Sequence, residues 1–159
     1  MCGIAGIYRK NGLQQHASHQ LNQALESLKS RGPNSSGTFL GQQVGLAHTR
    51  LAIIDPKSGQ QPWCDQVSGV TLIFNGEIYN FKVLREQLQA KNHIFISQTD
   101  TEVIAKAYLE WGIDCIKHLR GMFAFAIWDN KKQSLFLARD RLGIKPLFYS
   151  LLDNGEFIF

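Results

Sequence analysis

The second residue of the chain is the first that could do chemistry. Met1 precedes Cys2, and so small a side chain at the second position allows an aminopeptidase to remove the methionine. Cys2 would then carry both a thiol and a free α-amine. An unperturbed α-amino group has a pKa of about 8, so it could take the thiol proton and return it to a leaving amine. The alternative is that Cys2 is a small buried residue of an N-terminal strand.

A candidate oxyanion site lies at Asn75 and Gly76, which follow an apolar strand pattern. A side-chain amide and an unencumbered backbone N–H could together stabilise the negative oxygen of an acyl-transfer intermediate. Asn-Gly is also the commonest short hairpin turn, and these two residues taken alone favour that interpretation.

Two charged residues could hold the ends of a small substrate. Arg50 precedes an apolar strand and could bind a carboxylate through two parallel hydrogen bonds, although a surface ion pair is the simpler role. Asp100 lies between two threonines and could bind an ammonium group. Either Thr99 or Asp100 could equally serve as the N-cap of the helix that follows.

Two further polar segments are excluded from the chemistry. Residues 32–38 superficially resemble a phosphate loop, but the required lysine is missing and Pro33 removes a backbone donor, so we predict no nucleotide binding there. Residues 139–146 form a charged turn between strands. We interpret this turn as a structural corner or a docking surface without a catalytic role.

The elements that must position these residues follow an α+β order. A helical pattern covers residues 18–30, and further helices begin at Asn80 and at Thr99 or Asp100. Residues 31–37 are predicted to be a loop and residues 75–77 a polar turn. Strands are predicted at residues 2–8, 44–55, 69–74, 123–128, 135–138, 147–150 and 157–159. This order favours antiparallel sheets with helices packed on their outer faces.

Composition narrows the class of protein. The chain has 159 residues, 44% of them hydrophobic, which is enough to bury the core of one domain. Its net charge is +4, but the basic residues are scattered along the chain and form no run, so no nucleic-acid partner is indicated. Three widely spaced cysteines predict neither a disulfide framework nor a metal site. No leader or membrane-spanning pattern is present, and we therefore expect a cytoplasmic protein with no membrane partner.

Six short motifs, taken in order, resemble the class II glutamine amidotransferases. They are MCGIAGI at 1–7, RGP at 31–33, AHTRL at 47–51, FNGEIYN at 74–80, DTE at 100–102 and RDRLGIKPL at 139–147. The fourth and sixth motifs are most similar to the asparagine synthetase branch. The resemblance implies an N-terminal-nucleophile hydrolase fold, a four-layer αββα sandwich of two antiparallel sheets, over residues 1–159.

The resemblance also implies a role for each matching residue. Cys2 would attack the side-chain amide of L-glutamine, forming a thioester that water hydrolyses to glutamate, while Asn75 and Gly76 hold the oxyanion. Arg50 would bind the α-carboxylate, and Glu77 and Asp100 the α-amine. The backbone of the segment after Arg50 would line the pocket, with Leu51, Ile53 and Ile54 as its substrate-binding residues.

The sequence departs from the family pattern at two points. Asn34 stands where the family usually has Asp, which could loosen a loop near the nucleophile. The C-terminal synthetase domain of the family, with its Ser-Gly-Gly-x-Asp-Ser pyrophosphate loop, has no counterpart in these residues. We therefore interpret the chain as a truncated glutaminase domain. It would need no cofactor or metal itself, with ATP and magnesium expected only in the missing domain.

The leading hypothesis is a glutaminase that supplies ammonia for asparagine synthesis by a synthetase domain in the same or a partner chain. One alternative is an amidotransferase module for a different acceptor. Another is a regulatory protein of the same fold that does not hydrolyse glutamine, against which the presence of Cys2 argues. A homodimer is a further expected partnership.

Overall fold

The computed structural model describes residues 1–52 and 59–159. Within these ranges the helices are α1 (Ala17–Leu28), α2 (Phe81–Ala90) and α3 (Asp100–Trp111), the last followed by a 3-10 turn, Gly112–Lys117. The strands are β1 (Gly3–Tyr8), β2 (Ser35–Leu40), β3 (Val44–Arg50), β4 (Trp63–Asp65), β5 (Val70–Ile78), β6 (Gly121–Asp129), β7 (Ser134–Arg139), β8 (Ser150–Leu151) and β9 (Phe157–Ile158).

The strands form two antiparallel sheets. The first has the order β2-β3-β1-β9-β8, and the second has the order β4-β5-β6-β7. Strand β1 therefore lies in the middle of the first sheet, between β3 and β9. Strand β5 is an inner strand of the second sheet and pairs along its whole length with β6.

Side-chain alternation along the strands divides the core into layers. On β1 and β3, every second side chain faces the other sheet and joins a cluster between the sheets that contains Val44, Leu46, Ile73, Ala126 and Trp128. The intervening side chains pack against α1, and the far face of the second sheet packs against α2 and α3. The result is a helix, two sheets and a helical layer, which confirms the predicted αββα sandwich.

Four local predictions differ from the structure. Residues 35–40 form β2 rather than ending a loop, and the short strand β4 was not predicted. Strand β5 continues through Asn75 and Gly76, so the Asn-Gly pair is no hairpin turn. Pairing of β8 begins at Ser150, after most of the strand predicted at residues 147–150.

Of the predicted helix caps, the one at α3 forms and the one at α2 does not. Asn80 makes no capping hydrogen bond. Its side chain instead accepts a hydrogen bond from the backbone N–H of Arg120 and donates one to the carbonyl of His118. Thr99 does cap α3, because its hydroxyl accepts from the N–H of Glu102.

None of the helices in the described part of the chain has both the length and the apolar character required to cross a membrane.

Candidate active site

Cys2 lies at the N-terminal end of β1, on the side of the strand that faces the second sheet. Its Sγ is 3.4 Å from the backbone N–H of Leu51, which donates to it, and 3.8 Å from the Leu51 carbonyl. The Arg31 guanidinium donates to the Cys2 carbonyl at 3.3 Å. The thiol is partly buried, and these contacts fix the end of β1 that carries it.

A pocket opens beside this thiol, between the ends of the two sheets. The structure brings seven of the predicted site residues to its wall: Cys2, Arg50, Leu51, Asn75, Gly76, Glu77 and Asp100. The other two, Ile53 and Ile54, lie outside the described residues. The residues that the motifs singled out, far apart in sequence, therefore share one cavity.

The backbone of β5 explains how Asn75 and Gly76 are presented. The backbone groups of the odd-numbered residues point toward β6. Just beyond the two ends of β5, the Gly69 carbonyl accepts from the Asn130 N–H, and the Tyr79 N–H donates to the Arg120 carbonyl. In an antiparallel strand the even positions then direct their backbone groups to the opposite edge. The Gly76 N–H accordingly points to the pocket edge. The Asn75 side chain projects from the same face as Ile73, toward the sheet that carries Cys2.

Gly76 is required here by space. A Cβ at this position would overlap the carbonyl oxygen of Met122 on the neighbouring strand β6. Only glycine allows β6 to lie this close while the N–H of residue 76 faces the pocket. The absence of a side chain also leaves that N–H accessible to a ligand.

The acidic end of the pocket is built on the start of α3. The Asp100 carboxylate is 5% exposed and accepts a hydrogen bond of 3.1 Å from the Ile78 N–H at the end of β5. Burial raises the pKa of Asp100 to about 6, and the nearby charge of Glu77 acts in the same direction. Asp100 is thus an anion at neutral pH, held where the pocket meets the helix.

The pocket wall also carries Arg50, which is 5% exposed at the end of β3. Its backbone carbonyl accepts from the Asn34 N–H at 3.0 Å, and the Asn34 side-chain oxygen accepts from the Ala52 N–H at 2.9 Å. The amide at position 34 therefore bridges the chain on both sides of Arg50 and Leu51. The predicted loosening of this loop has no counterpart in these contacts.

His48 lies between the sheets behind the pocket. Its Nε2 is 3.1 Å from the Phe74 carbonyl, which can only accept, so this nitrogen carries the proton. Burial is the main reason that the pKa of His48 is lowered to about 4, and the nearby Arg50 charge acts in the same direction. His48 is consequently a neutral donor to the strand that bears Asn75.

Several residues of the pocket wall were not predicted as site residues, among them Gln61, Thr101 and Lys145. Lys145 is 5% exposed, and its Nζ donates to the Sδ of Met1 at 3.0 Å. It belongs to the turn that we interpreted as a structural corner or a docking surface without a catalytic role, although the RDRLGIKPL motif could have pointed to it. No residue pattern marks Gln61.

The charges and donors of the pocket suit a zwitterionic amino acid. A carboxylate can bind at Arg50, an ammonium group at Asp100 and Glu77, and a side-chain carbonyl can reach Cys2, Asn75 and Gly76. The chemistry available there is attack of a thiol on a side-chain amide, with two donors ready for the oxygen that becomes negative.

Comparisons with known proteins agree with this arrangement. A family model described as a glutamine amidotransferase domain matches residues 1–159. Glutamine-hydrolysing asparagine synthetase 3 of Bacillus subtilis (strain 168) is 42% identical over 163 residues, with 100% of this chain and 26% of that protein covered. Amidase chry2 of Gibberella zeae is 37% identical over 166 residues, covering 97% of this chain and 25% of that protein.

A solved structure shares the fold. The glutamine phosphoribosylpyrophosphate amidotransferase from B. subtilis, complexed with ADP and GMP, superposes with a TM-score of 0.76 at 20% identity. The match covers 99% of this chain and 41% of that one. The chain spans about a quarter of the length of the curated relatives it matches.

Proposed function

Because the chain belongs to the glutamine amidotransferase domain family, in its asparagine synthetase branch, we propose that it hydrolyses glutamine to glutamate and ammonia. The observation that carries this proposal is the meeting of Cys2 with Asn75 and Gly76 in a pocket whose walls hold Arg50 and Asp100. These groups match the thiol-reactive amide and the two charged α-substituents of L-glutamine.

The reaction begins once Met1 has been removed. The Cys2 α-amine takes the thiol proton, Sγ bonds to the amide carbon of glutamine, and the electron pair of the C=O moves to its oxygen. The Asn75 amide and the Gly76 N–H stabilise that oxyanion. The C–N bond then breaks as the ammonium of Cys2 protonates the leaving nitrogen. Water attacks the thioester, and glutamate leaves with the regenerated thiol.

Binding of the substrate depends on the charged wall of the pocket. Arg50 takes the α-carboxylate, Asp100 and Glu77 take the α-ammonium group, and Leu51 contributes to the remaining wall. Holding both ends of the amino acid places its side-chain amide against the thiol and removes much of the entropic cost of the attack.

The ammonia is delivered, we infer, to ATP-dependent asparagine synthesis by a synthetase domain in the same or a partner chain. In support, the curated relatives are about four times as long as this chain. The segment after β7 also exposes apolar side chains suited to a protein partner: Leu142, Ile144, Phe148, Tyr149, Leu151 and Leu152. A homodimer would be a second use of this apolar surface.

Cofactors belong, in this proposal, to the synthetase domain, which would bind ATP and magnesium. Across residues 1–52 and 59–159, no three His, Cys, Asp or Glu side chains are grouped to hold a metal ion. We place the protein in the cytoplasm, where the three unpaired cysteines would stay reduced. The 37% identity to amidase chry2 favours, as the second candidate, the same hydrolysis serving another acceptor.

The proposal is tested by glutamate release from glutamine, after mass spectrometry has established that Met1 is removed. Replacing the nucleophile by Cys2→Ala should abolish release, whereas Cys64→Ala, at an exposed cysteine, should leave it unchanged. A chain that retains Met1 should also be inactive, because its amine is displaced from Cys2. Glutamate release that survives Cys2→Ala would contradict the mechanism.

Covalent labelling tests the formed site independently of turnover. A diazo-ketone analogue of glutamine should modify Cys2 and spare Cys64 and Cys115, even though Cys64 is the most exposed of the three. Excess glutamine should protect Cys2 from the label. Equal modification of Cys2 and Cys64 would contradict a glutamine-specific pocket.

A further inference from the structure

On one edge of β5, pairing with β4 covers only residues 70–72 and ends just before the residues that face the pocket. Strand β4 begins at Trp63, which pairs with Leu72. Continuing that register would place Gln61 opposite Phe74, but the backbone of Gln61 is outside the strand. The Phe74 N–H and C=O point to this edge, because Phe74 has the same parity as Leu72. Within residues 1–52 and 59–159, no backbone group pairs with them there.

Two side chains replace the missing strand. Gln61 Oε1 accepts from the Phe74 N–H at 2.7 Å, and His48 Nε2 donates to the Phe74 carbonyl at 3.1 Å. The Gln61 amide is itself oriented by Thr101 on α3, because its Nε2 donates to the threonine Oγ1 at 3.3 Å. Gln61 is only 9% exposed, so water does not compete freely for these groups.

The same edge of β5 presents three N–H groups in succession, at Phe74, Gly76 and Ile78. The first is bound by Gln61 and the third by Asp100. Among the described side chains, none accepts from the middle one. Gln61 and Asp100 therefore fix the strand on both sides of the donor that faces the pocket.

We infer that Gln61 is a positioning residue for the oxyanion site, setting through the Phe74 peptide the direction of the Gly76 N–H and the Asn75 amide. The inference rests on the proposed function. Oxyanion donors act only within a few tenths of an ångström of their productive position, and removing one such donor typically lowers kcat about 10²- to 10³-fold. Releasing the strand that carries both should therefore affect turnover more than binding.

The principal test is Gln61→Met, which keeps the volume but removes the acceptor. We expect kcat for glutamine hydrolysis to fall at least about tenfold while KM changes less than about threefold, because Arg50 and Asp100 are untouched. Gln61→Glu, which retains an acceptor for the Phe74 N–H, should recover most of the loss. Gln60→Met, at the exposed neighbour, is the matched control.

Amide hydrogen exchange at Phe74, measured by NMR, provides a readout that needs no turnover. Exchange should accelerate at least about tenfold in Gln61→Met and not in Gln60→Met. If Gln61→Met does not fold, Thr101→Val tests the same bond more gently and should lower kcat severalfold at constant KM.

The outcomes separate the two proposals. If the wild-type chain releases glutamate and Gln61→Met releases it equally fast, the positioning role is overturned and the proposed function stands. The same conclusion follows if Gln61→Met changes kcat and KM in parallel and Gln61→Glu does not rescue them. Absence of wild-type release would contradict the proposed function. Unchanged Phe74 exchange in Gln61→Met would then still overturn the inference about Gln61.

Discussion

Asp100 performs two tasks with one carboxylate. One oxygen accepts the N–H of Ile78 and ties the start of α3 to the end of β5, while the group as a whole faces the pocket. Its burial makes the charged form costly, so its pKa of about 6 is close to the pH at which such an enzyme would work. A cationic substrate group repays that cost only when Asp100 is ionised.

Glutamine binding should therefore weaken at acid pH. Because the pKa of Asp100 is about 6, the dissociation constant of glutamine for Cys2→Ala should be roughly tenfold larger at pH 5 than at pH 7. Titration calorimetry on this non-hydrolysing variant isolates binding from the chemistry of the Cys2 amine. In a Cys2→Ala chain that also carries Asp100→Asn, binding should be weak throughout. A pH dependence that persists there would assign the effect to another group.

The raised pKa has the opposite consequence for stability without ligand. The folded state disfavours the ionised carboxyl, so the contribution of Asp100 to stability is fully present below its ordinary pKa near 4 and is lost as pH rises through about 6. The site thus gives up some folding free energy at neutral pH to hold an anion for its substrate.

Among the structural elements, the turn after β7 is organised around one carboxylate, that of Asp140. The Asp140 carboxylate accepts hydrogen bonds from four backbone N–H groups, those of Phe123, Leu142, Ile144 and Lys145. Burial alone would raise the pKa of Asp140, but these hydrogen bonds hold it below its ordinary value. One side chain thereby fixes the path of the segment that brings Lys145 to the pocket.

Asp140→Ala should lower the free energy of unfolding by about 2–4 kcal/mol, because it leaves several backbone donors unsatisfied. Urea denaturation at pH 7 measures the loss, and Asp153→Ala, in the exposed turn before β9, should change stability by less than about 0.5 kcal/mol. The pKa of Asp140 is lowered in the folded state, so the difference from wild type should shrink below about pH 4. A full-sized difference that persists at pH 2 would contradict this electrostatic account.

The element scale also shows where local sequence rules stop. The Asn-Gly rule predicted a turn at residues 75–77, but β6 lies against this segment and extends β5 to Ile78. Similarly, Asn80 has the chemistry of a helix cap but bonds to the backbone of residues 118 and 120. In both places a distant strand or loop provides the stronger partner, and no local pattern encodes it.

For the whole molecule, the sandwich itself sets the relative positions of Cys2 and the proposed oxyanion donors. Cys2 immediately precedes β1 of one sheet, Asn75 and Gly76 belong to β5 of the other, and both strands are flanked by neighbouring strands. The separation of Cys2 and Asn75 is therefore set by the side chains packed between the sheets. Ile73, on the same strand face as Asn75, is one of these.

Truncation of this packing should affect both folding and catalysis. Ile73 is fully buried, so Ile73→Ala should cost about 2–5 kcal/mol of unfolding free energy, from lost burial and the cavity left behind. Relaxation of the sheets around that cavity should also lower kcat for glutamine hydrolysis. Ile94→Ala, at an isoleucine that is 80% exposed, is the matched control and should alter neither quantity. A loss of less than 1 kcal/mol in Ile73→Ala would indicate that the sheets close over the gap.

At this scale the sequence predicted the architecture and seven residues of the pocket wall, but not the side chains that support them. The motifs named Cys2, Arg50 and Asp100, because their side chains carry the thiol, the cation and the anion that the proposed substrate would need. The sequence did not reveal Gln61, because its contact with Phe74 becomes apparent only when β4 and β5 are paired. The register of that pair, continued past Trp63, brings residue 61 beside Phe74. Long-range pairing and the residues that replace it are the information that short motifs lack.

The pairing of β1 with the far end of the chain has a consequence in time. Gly6 exchanges two hydrogen bonds of 3.0 Å with Phe159, and β9 completes the sheet beside the strand that follows Cys2. During synthesis this strand emerges from the ribosome before β9, so the two strands can pair only after residues 157–159 have been made. Met1 is 55% exposed in the complete fold, where its Sδ accepts a hydrogen bond from Lys145. The removal of Met1 that the proposed mechanism requires therefore does not have to precede completion of the sheet.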